Sequence, residues 1–271
     1  MEDLDRVTSS PVHEAAQLSA LGALGLEWAA PVVRQSERFD RYDAAIEQLV
    51  EQGRTYDCYC TRREIREASS APQGSGTAEG VYAGTCRTLS QQRRADFVGQ
   101  GRRPALRLDA GNATVVIEIV DELVGAYAAA VDDVVLRRND GVPAYNLAVV
   151  VDDAAQDVAE VVRGDDLLSS TPRQVMLQRL LGLSTPRYRH VPLVLGADGV
   201  RLAKRHGAIT LTQLAEAGVQ VPEVLTMLAA SLGLADVGER VTPSMLVARF
   251  DPTALSREPW VLPANLQRSV P

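Results

Sequence analysis

Apolar residues recur at helical spacing along two N-terminal stretches of the chain, residues 13–24 and residues 37–52. The second stretch places one group of apolar side chains on a single face: Phe39, Tyr42, Ile46, Leu49 and Val50. Gly53 follows it directly, and glycine ends helices well because it adopts the left-handed conformation without strain. The pattern therefore predicts two helices in the N-terminal part of the chain.

Short runs of β-branched residues bounded by Gly, Asp or Asn indicate strands. They are residues 105–108, 113–120, 131–136, 158–162 and 191–195. Before the last run, Ser170 or Thr171 is placed as the N-cap of a helix, with Pro172 in its first turn and Gly182 after its end. Strand, crossover helix and strand in succession predict an α/β fold with a parallel sheet covered on both faces, and the helical pattern from residue 212 onward predicts a small helical C-terminal region.

The composition predicts a substantial core and an acidic surface. Of the 271 residues 46% are hydrophobic, yet no apolar run approaches the roughly 18 residues that span a bilayer. A net charge of −7 argues against unspecific coating of nucleic acid but allows a local basic surface. Two groups of arginines are candidates for that surface, with solvated helix faces as the alternative: Arg62, Arg63, Arg66, Arg93, Arg94, Arg102 and Arg103. We expect a cytoplasmic monomer without membrane contact.

All three cysteines lie in one short region together with a tyrosine. Cys58 and Cys60 are two residues apart, which puts both side chains on one side of an extended segment, and Tyr82 and Cys86 are spaced for a turn that folds back. Three thiolates and a phenol oxygen can surround one zinc ion tetrahedrally, although tyrosine is an unusual fourth ligand. The region is predicted to bind a structural zinc ion.

Two other interpretations of the cysteines stay open. They could be ordinary buried thiols beside a core tyrosine, since free cysteine packs as a small hydrophobe. A disulfide is less favoured, because the cysteine count is odd, no secretory signal pattern is present and residues two apart bridge poorly. Between the two pairs, Thr61 and Glu64 form the capping box of a predicted short helix, and residues 69–80 are interpreted as a flexible loop of small residues.

Lys204 is the only lysine of the protein, because 27 of its 28 basic residues are arginine. It lies within Arg-Leu-Ala-Lys-Arg-His-Gly, residues 201–207. A single retained lysine indicates a place where a compact, flexible ammonium group cannot be exchanged for a planar guanidinium.

Several motifs, taken in order along the chain, carry a resemblance to a known family. They are Glu-Asp-Leu-Asp (2–5), the Cys-x-Cys and Tyr-x-x-x-Cys pairs, Pro-Ala-Tyr-Asn-Leu-Ala (143–148), Val-Val-Arg-Gly-Asp-Asp-Leu-Leu (161–168), Tyr-Arg-His-Val-Pro-Leu (188–193) and Arg-Leu-Ala-Lys-Arg (201–205). The chain resembles the catalytic part of the class I glutamyl-tRNA synthetases, and more closely their short relatives, the glutamyl-Q tRNA(Asp) synthetases. The tyrosine in the cysteine region and the lack of an anticodon-binding region after residue 271 favour the short relatives.

The resemblance implies a function and a fold. The short relatives activate glutamate with ATP, in the presence of Mg²⁺ and without tRNA, and attach it to the queuosine base in the anticodon loop of tRNA(Asp). The implied fold is a Rossmann-type catalytic domain with a zinc-binding insertion. Its boundaries are residues 1–57 for the first half, 58–112 for the insertion, 113–200 for the second half and 201–271 for the KMSKS-like loop and helical region. A conventional glutamyl-tRNA synthetase fragment and a non-catalytic zinc-containing RNA-binding remnant are the alternatives.

The resemblance also implies roles for individual residues. Glu2 matches an acidic residue that holds the glutamate amine, Tyr145 matches a tyrosine of the amino-acid pocket, and Arg163 matches an arginine that binds a substrate carboxylate. For Arg163, a surface ion pair with a neighbouring aspartate is the alternative. Arg201 and Lys204 match the ATP-binding KMSKS loop, where Lys204 is implied to stabilise the departing pyrophosphate.

The family pattern also includes a first strand, a helix that opens with the HIGH motif and a second strand, which would precede Met1. Of three explanations, a start codon assigned too far downstream, a truncated chain and a remnant that no longer catalyses, we favour the first. The reason is that the zinc quartet, the pocket residues and Lys204 are all retained.

Overall fold

A computed structural model describes residues 1–262 apart from 6, 8, 30, 70–81, 112–114, 197, 203–209 and 237. Residues 70–80 of the predicted loop at 69–80 therefore lie outside the described residues, and so does Lys204. No helix in the described part of the chain has the length and apolar character needed to cross a membrane.

The two N-terminal helices form close to where the pattern places them. Helix α1 covers Pro11–Ala23, with the Ser10 side chain accepting a hydrogen bond from the first turn, and α2 covers Phe39–Glu51 after a short 3₁₀ turn. The predicted face of α2 is buried at Tyr42, Ile46 and Leu49. Gly53 has the left-handed conformation expected of the residue that ends this helix.

A three-stranded antiparallel sheet carries the cysteine region. It has the order β1 (Thr55–Cys58), β2 (Ala105–Leu108) and β5 (Val135–Arg137). Cys58 at the end of β1 pairs with Ala105 at the start of β2, so the chain leaves this sheet and returns to it at neighbouring positions. The excursion includes α3 (Arg62–Ser69), which begins with the predicted Thr61–Glu64 capping box, and α4 (Gln91–Gly99).

The second sheet is mixed, so the predicted wholly parallel sheet is wrong. Its order is β4 (Gly125–Val131), β3 (Val115–Asp121), β7 (Arg187–Val191) and β6 (Glu160–Gly164). The pairs β3–β7 and β6–β7 are parallel, but β3 and β4 form an antiparallel hairpin. One face is not covered as predicted, because Val116, Val120 and Val162 are 54%, 77% and 59% exposed.

The predicted strand at residues 131–136 is also wrong, because the chain breaks between β4 and β5 at two aspartates. Asp132 accepts hydrogen bonds from the Tyr82 backbone N–H and the Arg173 side chain. Asp133 is fully buried and accepts from the backbone N–H of Ala110. Both carboxylates need these donors because a buried charge without partners is costly. Successive side chains of a continuous strand point to opposite faces, so one of the two carboxylates would then point away from its donors.

Helices cover the other face of the mixed sheet and complete the core. They are α5 (Tyr145–Ala155) and, after a 3₁₀ turn at Asp165–Ser170, α6 (Thr171–Leu181). The predicted N-cap and C-cap of α6 are confirmed at Ser170 and at Gly182, which is left-handed. Fully buried Leu147 and Leu177 join these helices to α2 and the sheet in one hydrophobic core.

The C-terminal region is helical, as predicted. It consists of α7 (Leu211–Glu216), α8 (Val221–Ser231) and α9 (Pro243–Arg249). A short parallel pair, β8 (Val194–Leu195) and β9 (Trp260–Val261), connects this region to the end of the mixed sheet.

Candidate functional site

Arg163 lies near the carboxyl end of β6, on the inner side of the mixed sheet. Its Nε donates to Nε2 of His190 at 3.0 Å and its Nη2 donates to Oγ1 of Thr171 at 2.8 Å. The guanidinium also lies 5.3 Å from the ring centre of Tyr188. The alternative surface ion pair is not formed with Asp166, which instead contacts Arg201 at 2.5 Å.

Glu2, Tyr145 and Arg163, the three residues that the resemblance selects for glutamate binding, lie close enough to influence one another's charge. Tyr145 is the first residue of α5, and the hydrogen bond and charge of Arg163 oppose the rise in its pKa that burial causes. Burial of the Glu2 carboxyl group raises its pKa, while the N-terminal ammonium group and, to a smaller extent, Arg163 oppose that rise. One cation therefore acts on a carboxyl group and a phenol that come from two distant parts of the chain.

Asp153 joins this cluster, and sequence reasoning did not assign it a role. Burial raises its pKa to about 6, with Asp152 and Glu2 raising it further and Arg163 opposing them. Its neighbour Asp152 faces the core instead, where it accepts a hydrogen bond from the Tyr42 hydroxyl at 2.8 Å and lies 3.2 Å from the Arg38 guanidinium. The two aspartates were visible in the sequence at the end of an apolar run, but only the helix geometry separates a core aspartate from a pocket aspartate.

The cluster combines the Arg163 guanidinium with the carboxyl groups of Glu2 and Asp153 and the phenol of Tyr145, whose residue is 37% exposed. A guanidinium binds a carboxylate through two parallel hydrogen bonds, and carboxylates accept hydrogen bonds from an ammonium group. The arrangement is therefore complementary to an amino acid with an additional carboxylate. Of the two ATP-site residues from the sequence, Arg201 is exposed and paired with Asp166, while Lys204 lies outside the described residues.

The predicted metal quartet also assembles. The sulfurs of Cys58, Cys60 and Cys86 all lie within 4.8 Å of one another, and those of Cys60 and Cys86 are 3.4 Å apart. The Tyr82 hydroxyl lies 3.4 Å from the Cys58 sulfur and 3.7 Å from the Cys60 sulfur. Zinc bonds of ~2.3 Å to sulfur and ~2.0 Å to oxygen give tetrahedral edges of ~3.8 Å and ~3.5 Å. The observed distances fit a zinc ion.

The surroundings of the quartet adjust the chemistry of its members. Burial raises the pKa of the Cys60 thiol to about 12, so without a bound cation this sulfur carries its proton. The Tyr82 oxygen accepts a hydrogen bond from the Cys86 backbone N–H at 2.8 Å, and the Arg107 guanidinium lies 3.8 Å from the centre of its ring. Burial and the neighbouring thiols nevertheless raise the pKa of the Tyr82 hydroxyl, and the Cys86 N–H opposes that rise only in part. Without a bound cation the phenol therefore also carries its proton, which a metal would have to displace.

A groove of about 1090 Å³ is lined by Cys58 and Cys60 of the quartet and also by Tyr145 and Asn146. Six arginines line it: Arg62, Arg102, Arg103, Arg107, Arg138 and Arg173. Four of these are held by acceptors of the protein, for example Arg102 by Glu64 at 3.0 Å. Within the described part of the chain, Arg62 and Arg103 have no such partner.

The sequence and the fold correspond to a known class of protein. Residues 1–262 match the family of tRNA synthetases class I (E and Q), catalytic domain, and the chain belongs to that family. Two solved structures of glutamate-tRNA ligases have the same fold. The enzyme from Elizabethkingia meningosepticum, in complex with its amino acid, superposes with a TM-score of 0.76 at 24% identity, and that from Elizabethkingia anophelis with 0.78 at 22%. The match covers 99% and 98% of this chain but only 60% and 61% of those chains.

Within this class, the similarity is strongest to the glutamyl-Q tRNA(Asp) synthetases among the curated relatives considered. The chain is 57% identical to the glutamyl-Q tRNA(Asp) synthetase of Nocardia farcinica over 98% of its own length and 82% of the relative's. It is 45% identical to that of Cutibacterium acnes, and 39% identical to a glutamate-tRNA ligase of Nitratidesulfovibrio vulgaris of which it covers 49%. The resemblance identified from the motifs is confirmed.

Proposed function

We propose that this protein activates glutamate with ATP to form glutamyl-adenylate and transfers the glutamyl group to the queuosine base of tRNA(Asp). The observation that carries the proposal is the clustering of Arg163, Tyr145, Glu2 and Asp153, whose charges act on one another. Family membership supports the reaction class, since glutamyl-Q tRNA(Asp) synthetases are the most similar of the relatives compared.

In this proposal the pocket selects glutamate by charge. Arg163 binds one carboxylate of the substrate, while Glu2 and Asp153 accept hydrogen bonds from its ammonium group. Tyr145 lies between these two charge types and offers a hydroxyl to either. The second carboxylate then stays free to attack the α-phosphate of ATP, a step in which negative charge builds on the departing pyrophosphate.

Lys204 and Arg201 are proposed to stabilise that departing group. A mobile ammonium aimed at the leaving oxygens lowers the energy of the transition state more than that of the bound substrates. The ion pair of Arg201 with Asp166 ties the start of this loop to the turn that follows Arg163. Residues 163–166 thereby connect the arginine proposed to bind glutamate with the loop proposed to bind ATP.

The zinc quartet is proposed to be structural. Its ligands would be Cys58, Cys60, Tyr82 and Cys86, and four protein ligands leave no open position for a reacting water. When bound, the ion would fix the excursion between β1 and β2 beside the groove. Its contribution is then to the shape of the groove and not to bond making.

The arginine-lined groove is proposed to receive the RNA. Arg62 and Arg103 have charges that the described protein does not neutralise, and guanidinium groups bind phosphates through paired hydrogen bonds. Tyr145 also lines the groove, so an RNA backbone lying in it would bring a base close to the proposed glutamate site. A local basic lining resolves the apparent conflict between an acidic protein and an RNA substrate.

The direct test is pyrophosphate exchange by the full-length protein with ATP and glutamate. We expect exchange with glutamate in the absence of tRNA and none with glutamine or aspartate. Exchange that requires added tRNA would instead assign the protein to the conventional glutamate-tRNA ligases. A lack of exchange under both conditions, together with no glutamate binding by calorimetry, would overturn the proposal and favour a non-catalytic RNA-binding protein.

A further inference from the structure

A buried acidic residue holds the histidine behind the pocket in one orientation. Asp121, at the end of β3, accepts hydrogen bonds from the backbone N–H groups of Leu123 at 2.9 Å, Val124 at 2.8 Å and His190 at 3.1 Å. It also lies 2.6 Å from Nδ1 of His190. Burial opposes the ionisation of Asp121, but these hydrogen bonds outweigh burial and lower its pKa.

The ionised carboxylate determines which nitrogen of His190 carries the proton. A carboxylate only accepts hydrogen bonds, so the proton of a neutral imidazole must lie on Nδ1, facing Asp121. Nε2 is then a bare acceptor, and the Nε–H of Arg163 points at it from 3.0 Å. Burial and the nearby guanidinium both lower the pKa of His190, which keeps the ring neutral. A guanidinium has no acceptor, so the opposite tautomer would place two N–H groups against each other.

Thr171 supplies the second contact to the same edge of Arg163. Its Oγ1 accepts from Nη2 of Arg163 at 2.8 Å and lies 3.1 Å from Nε2 of His190. Thr171 is 0% exposed and His190 is 1% exposed, so neither is free to rotate into solvent. Nε and Nη2 form one side of the guanidinium fork. The Nη1 group and the second N–H of Nη2 are used by neither contact, and together they can meet a carboxylate with two N–H groups.

We propose that Asp121, His190 and Thr171 are positioning residues that fix the orientation of Arg163 for two-point binding of a substrate carboxylate. The inference rests on the proposed glutamate pocket, and it assigns a function to the histidine of the Tyr-Arg-His-Val-Pro-Leu motif. None of the three touches the substrate in this scheme. They act by removing the freedom of a long side chain before the substrate arrives, which lowers the entropic cost of binding.

The tautomer can be measured without any substrate. The protein has three histidines, His13, His190 and His206, so ¹⁵N-labelling of histidine gives few signals, and the His190→Asn variant identifies the relevant one. We expect His190 at pH 7 to be neutral with its proton on Nδ1. A proton on Nε2, or a doubly protonated ring, would overturn the proposal whether or not the protein binds glutamate.

Paired substitutions test the effect on binding. In His190→Gln the amide oxygen extends toward the position of Nε2 and can still accept from Arg163, whereas in His190→Asn it ends near Nδ1 and cannot. We expect His190→Asn to weaken glutamate binding about tenfold or more, as expected for a lost buried hydrogen bond to a charged group, with ATP binding unchanged and binding largely restored in His190→Gln.

A second pair of variants, at Thr171, distinguishes a loss of glutamate binding from a folding defect. Thr171→Ser keeps the hydroxyl and Thr171→Val keeps the shape, so only the valine variant should lose glutamate affinity. Equal glutamate affinity in wild type, His190→Asn and Thr171→Val would reject the positioning role. If the wild-type protein itself does not bind glutamate, the proposed function fails, and the histidine spectrum still decides the tautomer.

Discussion

Arg173 and Asp132 form an ion pair at 2.5 Å that connects helix α6 to the metal quartet. The other oxygen of Asp132 accepts the backbone N–H of Tyr82 at 2.9 Å, so a single carboxylate holds both a helix of the core and the tyrosine ligand. The side chain of Asp132 is only 9% exposed. Its loss would leave the Arg173 guanidinium and the Tyr82 N–H without this acceptor.

We therefore expect Asp132→Ala to lower the free energy of unfolding by about 1–3 kcal/mol, the usual cost of leaving buried donors without a partner. Asp43→Ala is the matched control, because Asp43 contacts Arg137 at the same 2.5 Å but is 49% exposed. An exposed pair contributes at most about 1 kcal/mol. Chemical denaturation measures both variants, and equal losses would contradict the linking role of Asp132.

The metal quartet predicts one zinc ion per chain. Cys58→Ser should lower both the zinc content and the melting temperature, because metal binding is coupled to folding of the excursion between β1 and β2. Tyr82→Phe keeps the ring under the Arg107 guanidinium and leaves all three thiolates, which are the usual zinc ligands, so it should retain more zinc than Cys58→Ser. Elemental analysis of protein purified without chelator provides the measurement. If the wild type lacks zinc, the cysteines are ordinary buried thiols.

The pKa of Asp153 predicts a pH dependence of glutamate binding. Burial raises this pKa to about 6, so the carboxylate is ionised above pH 6 and becomes protonated below it. Only the ionised form attracts the ammonium group of an amino acid, and the raised pKa of Glu2 acts in the same direction. Glutamate affinity should thus fall by up to about tenfold between pH 7.5 and pH 5, a range in which free glutamate itself titrates little.

Calorimetric titrations at several pH values check this expectation. Asp153→Asn removes one of the two titrating groups, so its affinity should be lower at pH 7.5 and should change less with pH than that of the wild type, with Glu2 causing the remaining change. A wild-type affinity that does not change across this range would show that Asp153 does not contact the substrate amine.

Lys204→Ala should slow the activation step about 10²–10³-fold, since one lost electrostatic contact to a developing charge has a cost of this order. Its affinity for glutamate should stay nearly unchanged, because the proposed contact is with the leaving group. Arg205→Ala, at the adjacent position, is the control for general disturbance of the segment. Parallel loss of glutamate affinity and rate in Lys204→Ala would indicate a structural lysine.

If the RNA binds in the arginine-lined groove, a change there should affect transfer of glutamate to RNA but not the activation of glutamate by ATP. Reversing the charge at Arg103 should weaken RNA binding and transfer of glutamate, while pyrophosphate exchange with glutamate and ATP stays close to wild type. Each lost phosphate contact also reduces the dependence of RNA binding on salt. Glu118→Arg, an exposed change on β3, serves as the control. Transfer that is unaffected in the Arg103 variant would place the RNA elsewhere.

Local features of the fold were predictable from the sequence, and features that depend on distant partners were less so. The helix ends at Gly53 and Gly182 and the capping box at Thr61 follow from interactions within a few residues, and the structure confirms them. Strand β2 likewise has its predicted bounds. Strand β4 was missed because its alanines give no β-branched pattern, and its pairing with β3 is what holds it in the sheet.

The candidate site divides in the same way. Motif residues such as Arg163 and Tyr145 could be selected in advance, because their chemistry and order along the chain resemble a known pattern. The contribution of Asp153 could not, since an adjacent aspartate of the same helix faces the core. The partnership of Asp121 with His190 joins residues 69 positions apart and carries no local signal at all.

The pairing of Cys58 with Ala105 has a consequence for how this molecule can change. The chain leaves and re-enters the β1–β2 ladder at neighbouring positions, so the two ends of the excursion between β1 and β2 lie side by side. Lengthening or replacing this excursion therefore changes the distance between β1 and β2 little. If RNA binds in the arginine-lined groove as proposed, recognition of the acceptor can diverge in this segment while the proposed glutamate site at Arg163 is preserved. A chimera that exchanges residues 59–104 between relatives would separate the two.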